Sequence, residues 1–335
     1  MRRPHDCYPV ARLMRRKIVY HGGPTNSGKT YQALQRLRQA DPVMGGGLYC
    51  GPLRLLALEV FEQLNAEGVY CSLMTGQERQ VVPFASCTSC TIEMEYDVAV
   101  IDEIQMLGNR QRGAAWTRAL LGLRAREVHV CGGLEAEGLV RRLCTMTGDK
   151  LEVRRYARKT PLATAAHALG SAGYAKVRPG DCVVAFSRAD IFAIRREIEA
   201  TTPFKCCVVY GQLPSETRSQ QARLFNQGPE SGYDVLVASD AIGMGLNLNI
   251  RRIIFHTVIK WEGSASAVRL IEPTLIKQIG GRAGRHGSRW EEDGGVVTCL
   301  READLPYVRE TMKSPLVPVQ RAGISPSSEH LQVSA

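Results

Sequence analysis

The chain has 335 residues, of which 44% are apolar and 23% are charged. That length suits two domains of about 150 residues each, and the balanced composition excludes wholesale disorder. The absence of an apolar run of about 18 residues excludes a membrane-spanning helix. Lys and Arg number 43 and Asp and Glu 33, giving a net charge of +10. Such an excess favours polyanionic partners such as nucleic acid, although an Arg-rich soluble enzyme would show the same balance.

The N-terminal segment Met1–Lys17 is rich in Arg and has Asp6 as its sole acid, a composition shared with mitochondrial transit peptides. Because it leads directly into an apolar run, we expect a basic first segment of the domain rather than a clear transit peptide. The 11 cysteines are scattered singly, several of them in apolar runs, which favours buried thiols over a disulfide framework. Cys87 and Cys90 form one CxxC pair, but a structural zinc site needs a second pair of ligands, and the sequence offers none at ligand spacing.

Short apolar runs alternate with helix-like stretches in two successive sets. The first set predicts strands at Ile18–His21, Leu48–Cys50, Val98–Ile101 and Val128–Cys131, with helices at Thr30–Ala40 and Leu53–Glu67. The second predicts strands at Cys182–Phe186, Cys206–Tyr210, Asp234–Ala238, Ile253–His256 and Val296–Leu300, with helices at Ala189–Glu199 and Glu216–Gln227. Continuous apolar runs are typical of parallel strands buried on both faces. We therefore predict an α/β fold with two domains, residues 1–157 and 158–312, joined by a connector with a short helix near 155–180. A Pro- and Ser-rich linker or stub at 313–335 follows.

A phosphate loop is predicted where the first strand meets the first helix. The eight residues that fit GxxxxGK[ST] are Gly23, Pro24, Thr25, Asn26, Ser27, Gly28, Lys29 and Thr30. Backbone N–H groups of such a loop curl around an oxyanion, and the following helix adds positive potential. Lys29 would neutralise the β- and γ-phosphates of ATP, and the Thr30 hydroxyl would ligate Mg²⁺.

Two acidic residues follow the third predicted strand. Asp102 and Glu103 come directly after Val98–Ile101, at the sheet edge where parallel sheets bind ligands. We expect Asp102 to be the second Mg²⁺ partner and Glu103 to be the general base that polarises the attacking water.

The second domain contains Gln278-Ile-Gly-Gly-Arg282-Ala-Gly-Arg285. The spacing of Arg282 and Arg285 predicts one helical face. Arginine forks can meet the charge that develops on a transferred phosphoryl group, so both are candidates for catalysis. Contact with RNA phosphates is the rival interpretation.

Taken in order, these three motifs resemble those of superfamily-two helicases. Residues 21–31, Gly51–Ala57, Cys90–Met94 and Asp102–Gln105 resemble the mitochondrial degradosome RNA helicases of the suppressor-of-Var (Suv) family, whose acidic box ends in Gln. Residues 184–188, 210–214 and 239–248 resemble the later motifs of that family. The resemblance covers roughly residues 8–330.

The resemblance implies two tandem RecA-like domains that use ATP and Mg²⁺, with Gln278 and Gly245 also in the ATP site. It implies nucleic-acid backbone contacts from Arg54, Thr75, Thr91, Ser187 and Ser239. Small hydroxyls at loop ends position phosphates without reading sequence. It further implies 3′ to 5′ movement on RNA, a mitochondrial matrix location, and an exoribonuclease partner, either polynucleotide phosphorylase or an RNase-II-type enzyme. DNA or an RNA/DNA hybrid as substrate, and a nuclear location, are left open by these residues. No membrane partner is expected.

Two departures from the family pattern stand out. The Gly-Glu pair that usually follows the fourth strand is Gly132-Gly133-Leu134 here, with the acid displaced to Glu135. We also expect a longer N-terminal region and a C-terminal helical part in the family, so the chain reads as a fragment, an isoform or a reduced relative. The leading hypothesis is an RNA helicase core. The alternatives are an ATP-dependent RNA clamp without productive unwinding and a small-molecule P-loop kinase.

Overall fold

The computed structural model describes residues 3–325 except 77–78, 84, 86, 90–93, 244–245 and 263–266. The described chain divides into two compact units. The first comprises the residues up to Ala157 and those from Val317 on, and the second is Arg158–Leu316. The backbone therefore passes from one unit to the other twice. In the part of the chain that the structure describes, no helix is long and apolar enough to cross a membrane.

The first unit is built on one eight-stranded sheet. Its strands are β1 Lys17–Gly22, β2 Gly47–Cys50, β3 Cys71–Met74, β4 Arg79–Gln80, β5 Cys87–Ser89, β6 Glu95–Ile101, β7 Arg124–Gly132 and β8 Lys150–Arg155. They lie in the order β4-β3-β5-β2-β6-β7-β1-β8, and every neighbouring pair is parallel except β3 and β4. The helices are α1 Pro9–Leu13, α2 Lys29–Arg38, α3 Arg54–Ala66, α4 Gly113–Gly122 and α5 Glu137–Thr147.

The apolar runs are buried on both faces of this sheet. Along β6, Val98 and Val100 belong to the core cluster that contains Leu37 of α2. Ala99 and Ile101 alternate with them and belong to the cluster that contains α4 side chains. Since both faces are covered by helices, each residue of the run is buried, which explains why the strand reads as continuously apolar rather than alternating.

The second unit is built on a six-stranded, all-parallel sheet. Its strands are β9 Leu162–Thr164, β10 Asp181–Val184, β11 Cys206–Val209, β12 Val235–Ala238, β13 Arg252–Phe255 and β16 Gly295–Cys299, in the order β11-β12-β10-β13-β16-β9. A separate antiparallel pair is formed by β14 Ile259–Glu262 and β15 Ala267–Leu270. The helices are α6 Arg188–Thr201, α7 Ser215–Gln227, α8 Pro273–Gly280 and α9 Leu305–Lys313.

The nine strands predicted from sequence are confirmed, with ends that agree within four residues. The prediction of buried thiols is also confirmed for Cys71, Cys131, Cys144, Cys182, Cys206, Cys207 and Cys299. The predicted CxxC pair includes Cys90, which lies outside the described residues.

Two irregular regions differ from the simple sequence picture. The region near 155–180 holds the edge strand β9, which pairs with β16, and a 3₁₀ segment at Gly170–Lys176. Residues from Val317 do not continue the second unit. They lie on the first, where the backbone N–H of Val319 donates to the carbonyl of Glu135 at 2.8 Å.

Candidate nucleotide site and nucleic-acid edge

The phosphate loop joins β1 to α2 at the carboxyl edge of the first sheet. Gly28 precedes α2 with φ of 81°, and Asn26 has φ of 61°. A left-handed backbone at a residue with a side chain carries strain, which concentrates at functional sites. Lys29 folds back over the loop, and its Nζ donates to the carbonyl of Pro24 at 2.9 Å. The lysine is thus held at the loop rather than extended into solvent.

Ser27 provides a test of whether this loop fits a phosphate ligand. Its side chain is buried, and within the described residues its Oγ has no hydrogen-bond partner. A Cβ placed on Gly23 would lie 3.0 Å from that Oγ and 2.6 Å from the carbonyl oxygen of Tyr156. A buried hydroxyl without a partner is costly. An oxyanion in the loop would satisfy it, so the residues present fit the group.

Asp102 lies directly beside the loop. Thr30 Oγ1 donates to its carboxylate, 3.3 and 3.4 Å from the two oxygens. Tyr49 at the end of β2 donates its hydroxyl to Asp102 Oδ2 at 3.2 Å, and the backbone N–H of Glu103 donates to Oδ1 at 2.9 Å. The indole N–H of Trp116 in α4 donates to the Asp102 carbonyl at 2.9 Å. A hydroxyl and a carboxylate in contact are the oxygen donors that Mg²⁺ takes from protein, so this pair fits a magnesium ion.

The surroundings of the Asp102 carboxylate disfavour its charged form. Burial and the negative charge of Glu103, opposed by Lys29, together raise its pKa to about 6. The side chain is only 4% exposed. A buried carboxylate without a full counter-charge destabilises the protein and favours a cation beside it.

Glu103 has the second non-glycine left-handed backbone of the described chain, with φ of 53° and ψ of 50°. It lies between β6 and a 3₁₀ turn at Ile104–Gly108. Gln105 connects this turn to the end of β7, because its amide N–H₂ donates to the Glu103 carboxylate while its Oε1 accepts from the backbone N–H of Gly133 at 3.3 Å. The acidic box and the glycine pair after β7 are therefore joined by one side chain.

Glu135 takes up the space that a side chain at Gly133 would need. A Cβ on Gly133 would lie 2.0 Å from a Glu135 carboxylate oxygen. The Glu135 carboxylate therefore occupies the space where a side chain at position 133 would lie, although the acid is two residues later in the sequence.

A buried hydrogen-bond chain crosses the sheet next to the loop. Tyr156 Oη lies 2.8 Å from His21 Nδ1, His21 Nε2 lies 2.7 Å from His129 Nδ1, and His129 Nε2 lies 2.9 Å from Glu127. Glu127 can only accept, so the chain is satisfied when each donor points toward it and both imidazoles are neutral. Burial lowers the pKa of His21 to about 3 and also lowers the pKa of His129. Tyr156 also donates its backbone N–H to Gly22 at 2.8 Å, which ties the chain to the loop entrance.

In the second unit, the predicted helical face of Arg282 and Arg285 is wrong. Helix α8 contains Gln278 but ends at Gly280, and both arginines lie in the turns that follow. The guanidinium of Arg282 donates to the carbonyl of Gly243 at 2.8 and 3.1 Å. Gly284, with φ of 59°, comes so close to β16 that a Cβ would lie 2.2 Å from the backbone N of Gly295. That geometry requires glycine.

Arg158 holds this arginine-bearing turn from the start of the second unit. Its guanidinium donates to the carbonyl of Gly281 at 2.8 Å and to that of Ala283. Burial lowers its pKa to about 10. A forked donor that satisfies two carbonyls fixes the path of the turn.

The proposed nucleic-acid contacts follow strands at the carboxyl edges of the two sheets. Arg54 begins α3 after β2, and Thr75 comes directly after β3. Ser187 caps α6, where its Oγ accepts from the backbone N–H of Asp190 at 3.0 Å, and Ser239 accepts from that of Ala241 at 3.1 Å. Each hydroxyl therefore also has a structural role. Thr91 and Gly245 lie outside the described residues.

Sequence reasoning missed Tyr49, Trp116 and Arg158. Each lies far along the chain from its partner and belongs to no contiguous motif. Tyr49 carries one usable signal, since an aromatic hydroxyl within a buried strand needs a partner. In the described residues, no cluster of three or more His, Cys, Asp or Glu side chains could hold a further metal ion.

Comparison with known proteins places these motifs in a family. Residues 4–156 match the DEXQ-box helicase domain of Suv3, and residues 166–287 match the helicase conserved C-terminal domain. The chain is 52% identical over 339 residues to the Arabidopsis thaliana "DExH-box ATP-dependent RNA helicase DExH18, mitochondrial", which covers 99% of this chain and 42% of that protein. It is 48% identical over 347 residues to the human "ATP-dependent RNA helicase SUPV3L1, mitochondrial", with coverage of 100% and 43%.

A solved structure supports the fold. The Escherichia coli DEAH/RHA helicase HrpB matches with a TM-score of 0.62 at 16% identity, covering 91% of this chain and 42% of that one. This match agrees with tandem RecA-like α/β domains. The chain spans less than half the length of the two relatives described above. Because both helicase domains match in order and the identity extends over nearly the whole chain, this chain belongs to the Suv3 family of DEXQ-box helicases.

Proposed function

We propose that this chain is an ATP-dependent RNA helicase core that couples ATP hydrolysis to movement along RNA and to unwinding. The contact between the Thr30 hydroxyl and the Asp102 carboxylate, beside the Lys29 loop, carries the proposal. It brings the two magnesium-binding groups of a phosphoryl-transfer site together from segments 72 residues apart. Relatives named as ATP-dependent RNA helicases support the choice of RNA.

ATP would bind with its phosphates in the loop of residues 23–30. The Ser27 hydroxyl gains a partner there, and the Lys29 ammonium exchanges the Pro24 carbonyl for phosphate oxygens. Mg²⁺ bound by Thr30 and Asp102 would neutralise charge on the β- and γ-phosphates. The carboxylate then acquires the counter-charge that its buried position lacks.

Glu103 would serve as the general base. Its carboxylate accepts a proton from a water molecule while that oxygen bonds to the γ-phosphorus and the bond to the β–γ bridging oxygen breaks, giving ADP and phosphate. The contact with Gln105 fixes its orientation. Gln278, Arg282 and Arg285 would meet the γ-phosphate charge, as the family resemblance implies. For this, Arg282 has to exchange the Gly243 carbonyl for phosphate.

RNA would run along the carboxyl edges of the sheets, where Arg54, Thr75, Thr91, Ser187 and Ser239 are the proposed contacts. Contacts of this kind reach sugar and phosphate, so base preference should be weak and affinity should fall with salt. We propose 3′ to 5′ movement, a mitochondrial matrix location, and an exoribonuclease partner of the polynucleotide phosphorylase or RNase-II type, all by resemblance to the family. The relatives' names support the location.

An ATP-dependent RNA clamp is the second candidate function. Gly133 carries no acid, and the Glu135 carboxylate that lies beside it comes from a different backbone position. If this substitution weakens coupling, the chain would hold RNA and turn over ATP without separating strands.

Strand displacement tests the proposal. A labelled RNA duplex with a 3′ single-stranded tail is incubated with Mg-ATP and the wild-type chain, Glu103→Gln, or the control Glu95→Gln. Glu95 is exposed at the opposite end of β6, so it serves as a matched carboxamide control. We expect displacement by the wild type and by E95Q, and none by E103Q although it still binds RNA. RNA-stimulated turnover without displacement would favour the clamp. A rate of ATP hydrolysis that does not change with RNA would favour a P-loop kinase and contradict both the helicase and the clamp.

A further inference from the structure

The tail after the second unit forms an ordered contact that the proposed function does not use. Residues 317–324, which we call the return segment, lie on the first unit. The backbone N–H of Val319 donates to the Glu135 carbonyl at 2.8 Å, and that of Gly323 donates to the Leu107 carbonyl at 2.9 Å. The side chain of Arg142 donates to the carbonyl of Gln320 at 3.0 Å. Two backbone hydrogen bonds four residues apart fix both ends of this segment.

The contact is tightly packed. Val319 and Ala322 are partly buried against the core cluster of the first unit. A Cβ on Gly108 would lie 2.7 Å from Val319 Cγ1, and one on Gly323 would lie 2.9 Å from the backbone N of Ala114. Gly108 thus allows the Val319 side chain to approach closely, and Gly323 allows a close approach to the backbone of Ala114.

Three of the places that the return segment touches belong to elements next to the acidic box. Leu107 belongs to the 3₁₀ turn that begins directly after Glu103. Ala114 lies in the first turn of α4, and Trp116 of the same helix holds the Asp102 carbonyl. Glu135 belongs to the turn that begins after Gly133. The segment therefore packs against three elements next to the proposed general base: the 3₁₀ turn after Glu103, the start of α4, and the turn after Gly133.

Glu103 needs such support, because its left-handed backbone persists only where surrounding structure holds it. The Gln105 amide holds the box on the side of Gly133. The return segment holds the turn beyond Gln105 and the turn beyond Gly133 at the same time. A shift of either turn would move the Glu103 carboxylate relative to the attacking water.

We propose that the return segment is a positioning element for ATP hydrolysis, with Val319 as its anchor and Glu103 as the group that it positions. The inference rests on the proposed function, in which Glu103 is the general base. The hydrogen bonds of the segment described above go to Leu107, Glu135 and Arg142, away from the phosphate loop, so the segment should affect the chemical step and leave nucleotide binding unchanged.

Two substitutions in the full chain test this. Val319→Asp places a charge in the packed contact, whereas Val317→Asp places the same charge two residues away at a side chain that is 82% exposed. Steady-state ATP hydrolysis with saturating single-stranded RNA gives kcat and KM, and a fluorescent ATP analogue gives Kd. We expect V319D to lower kcat about ten- to a hundredfold, with KM and Kd changed less than about twofold. V317D should match the wild type in all three.

The milder variant Gly323→Ala covers the case in which V319D fails to fold, and it should lower kcat in the same way. A V319D protein with wild-type kcat, or one whose kcat and nucleotide affinity fall together, would overturn the inference. Wild-type protein without turnover would instead refute the proposed function. In that case, hydrogen exchange still tests the contact: V319D should exchange faster than V317D at Ile104–Gly108 and Leu134–Ala136, and equal exchange would overturn it.

Discussion

The buried His21–His129 chain predicts an unusual loss of stability in acid. Both imidazoles are fully buried, and burial lowers the pKa of His21 to about 3, with smaller contributions from His129 and Arg154 and opposition from Glu152. An unfolded histidine has a pKa near 6.5. Below that value the unfolded chain binds a proton that the folded chain does not, so stability falls as pH falls. Because the unfolded histidine is already half protonated at pH 6.5, the loss between pH 6.5 and 4.5 is about 2 kcal/mol from His21 alone, at 1.36 kcal/mol per pH unit.

The test replaces His21 with Gln, which cannot titrate and can still donate and accept. The free energy of unfolding is measured by urea titration at several pH values between 4.5 and 8. Trp116 reports on the first unit when Trp261 and Trp290 are replaced by Phe in every variant. H21Q should lose about 2 kcal/mol less than the wild type between pH 6.5 and 4.5, whatever its stability at pH 8.

His167→Gln is the matched control, since that side chain is 87% exposed and lies in the second unit. H167Q should keep the wild-type dependence on pH. The same acid loss in H21Q and the wild type would show that His21 is not held neutral in the folded protein, and the hydrogen-bond directions given above would then be wrong.

Two further substitutions test other parts of the structure. Asp102→Asn should raise the free energy of unfolding of the metal-free protein at pH 8 by about 1–3 kcal/mol, because the buried charge is removed, while abolishing Mg-dependent hydrolysis. The matched control is Asp97→Asn, which removes a carboxylate that is ion-paired with Arg36, so it should not raise the free energy of unfolding. Both variants are measured by urea titration in the presence of EDTA. A D102N protein less stable than the wild type would contradict the account. Gly284→Ala should destabilise the second unit by more than about 2 kcal/mol for two reasons. The new Cβ would lie 2.2 Å from the backbone N of Gly295, and alanine would have to adopt the positive φ of this position. Gly287 has a similar φ of 77° but open space around it, so Gly287→Ala should lower the free energy of unfolding by only about 1 kcal/mol in thermal unfolding. Equal destabilisation by the two substitutions would refute the steric argument.

The central strands could be predicted from sequence because both of their faces are buried. Val98–Ile101 is continuously apolar for that reason. The edge strands β8 and β9 could not, because β8 reads Lys-Leu-Glu-Val-Arg-Arg and is half exposed, and β9 has three residues. The edge strand β11 is buried throughout, so its apolar run could be predicted like those of the central strands.

The candidate site divides in the same way. The phosphate loop and the acidic box are contiguous, so their chemistry could be read directly. Their supports come from single residues, such as Trp116 and Arg158, which become neighbours of the site only through the fold. The spacing of Arg282 and Arg285 alone predicts a helix, although Gly280 and Gly281, which lie before both arginines, signal that the helix ends first.

The most direct test of the central claim is Mg-ATP hydrolysis by the purified chain, with and without single-stranded RNA, beside Lys29→Ala. Lys29 is the loop cation that would hold the phosphates, and its removal leaves the hydroxyl–carboxylate pair of Thr30 and Asp102 in place. We expect turnover that rises with RNA in the wild type and is lost in K29A. RNA binding without turnover in either protein would contradict the helicase assignment for this chain.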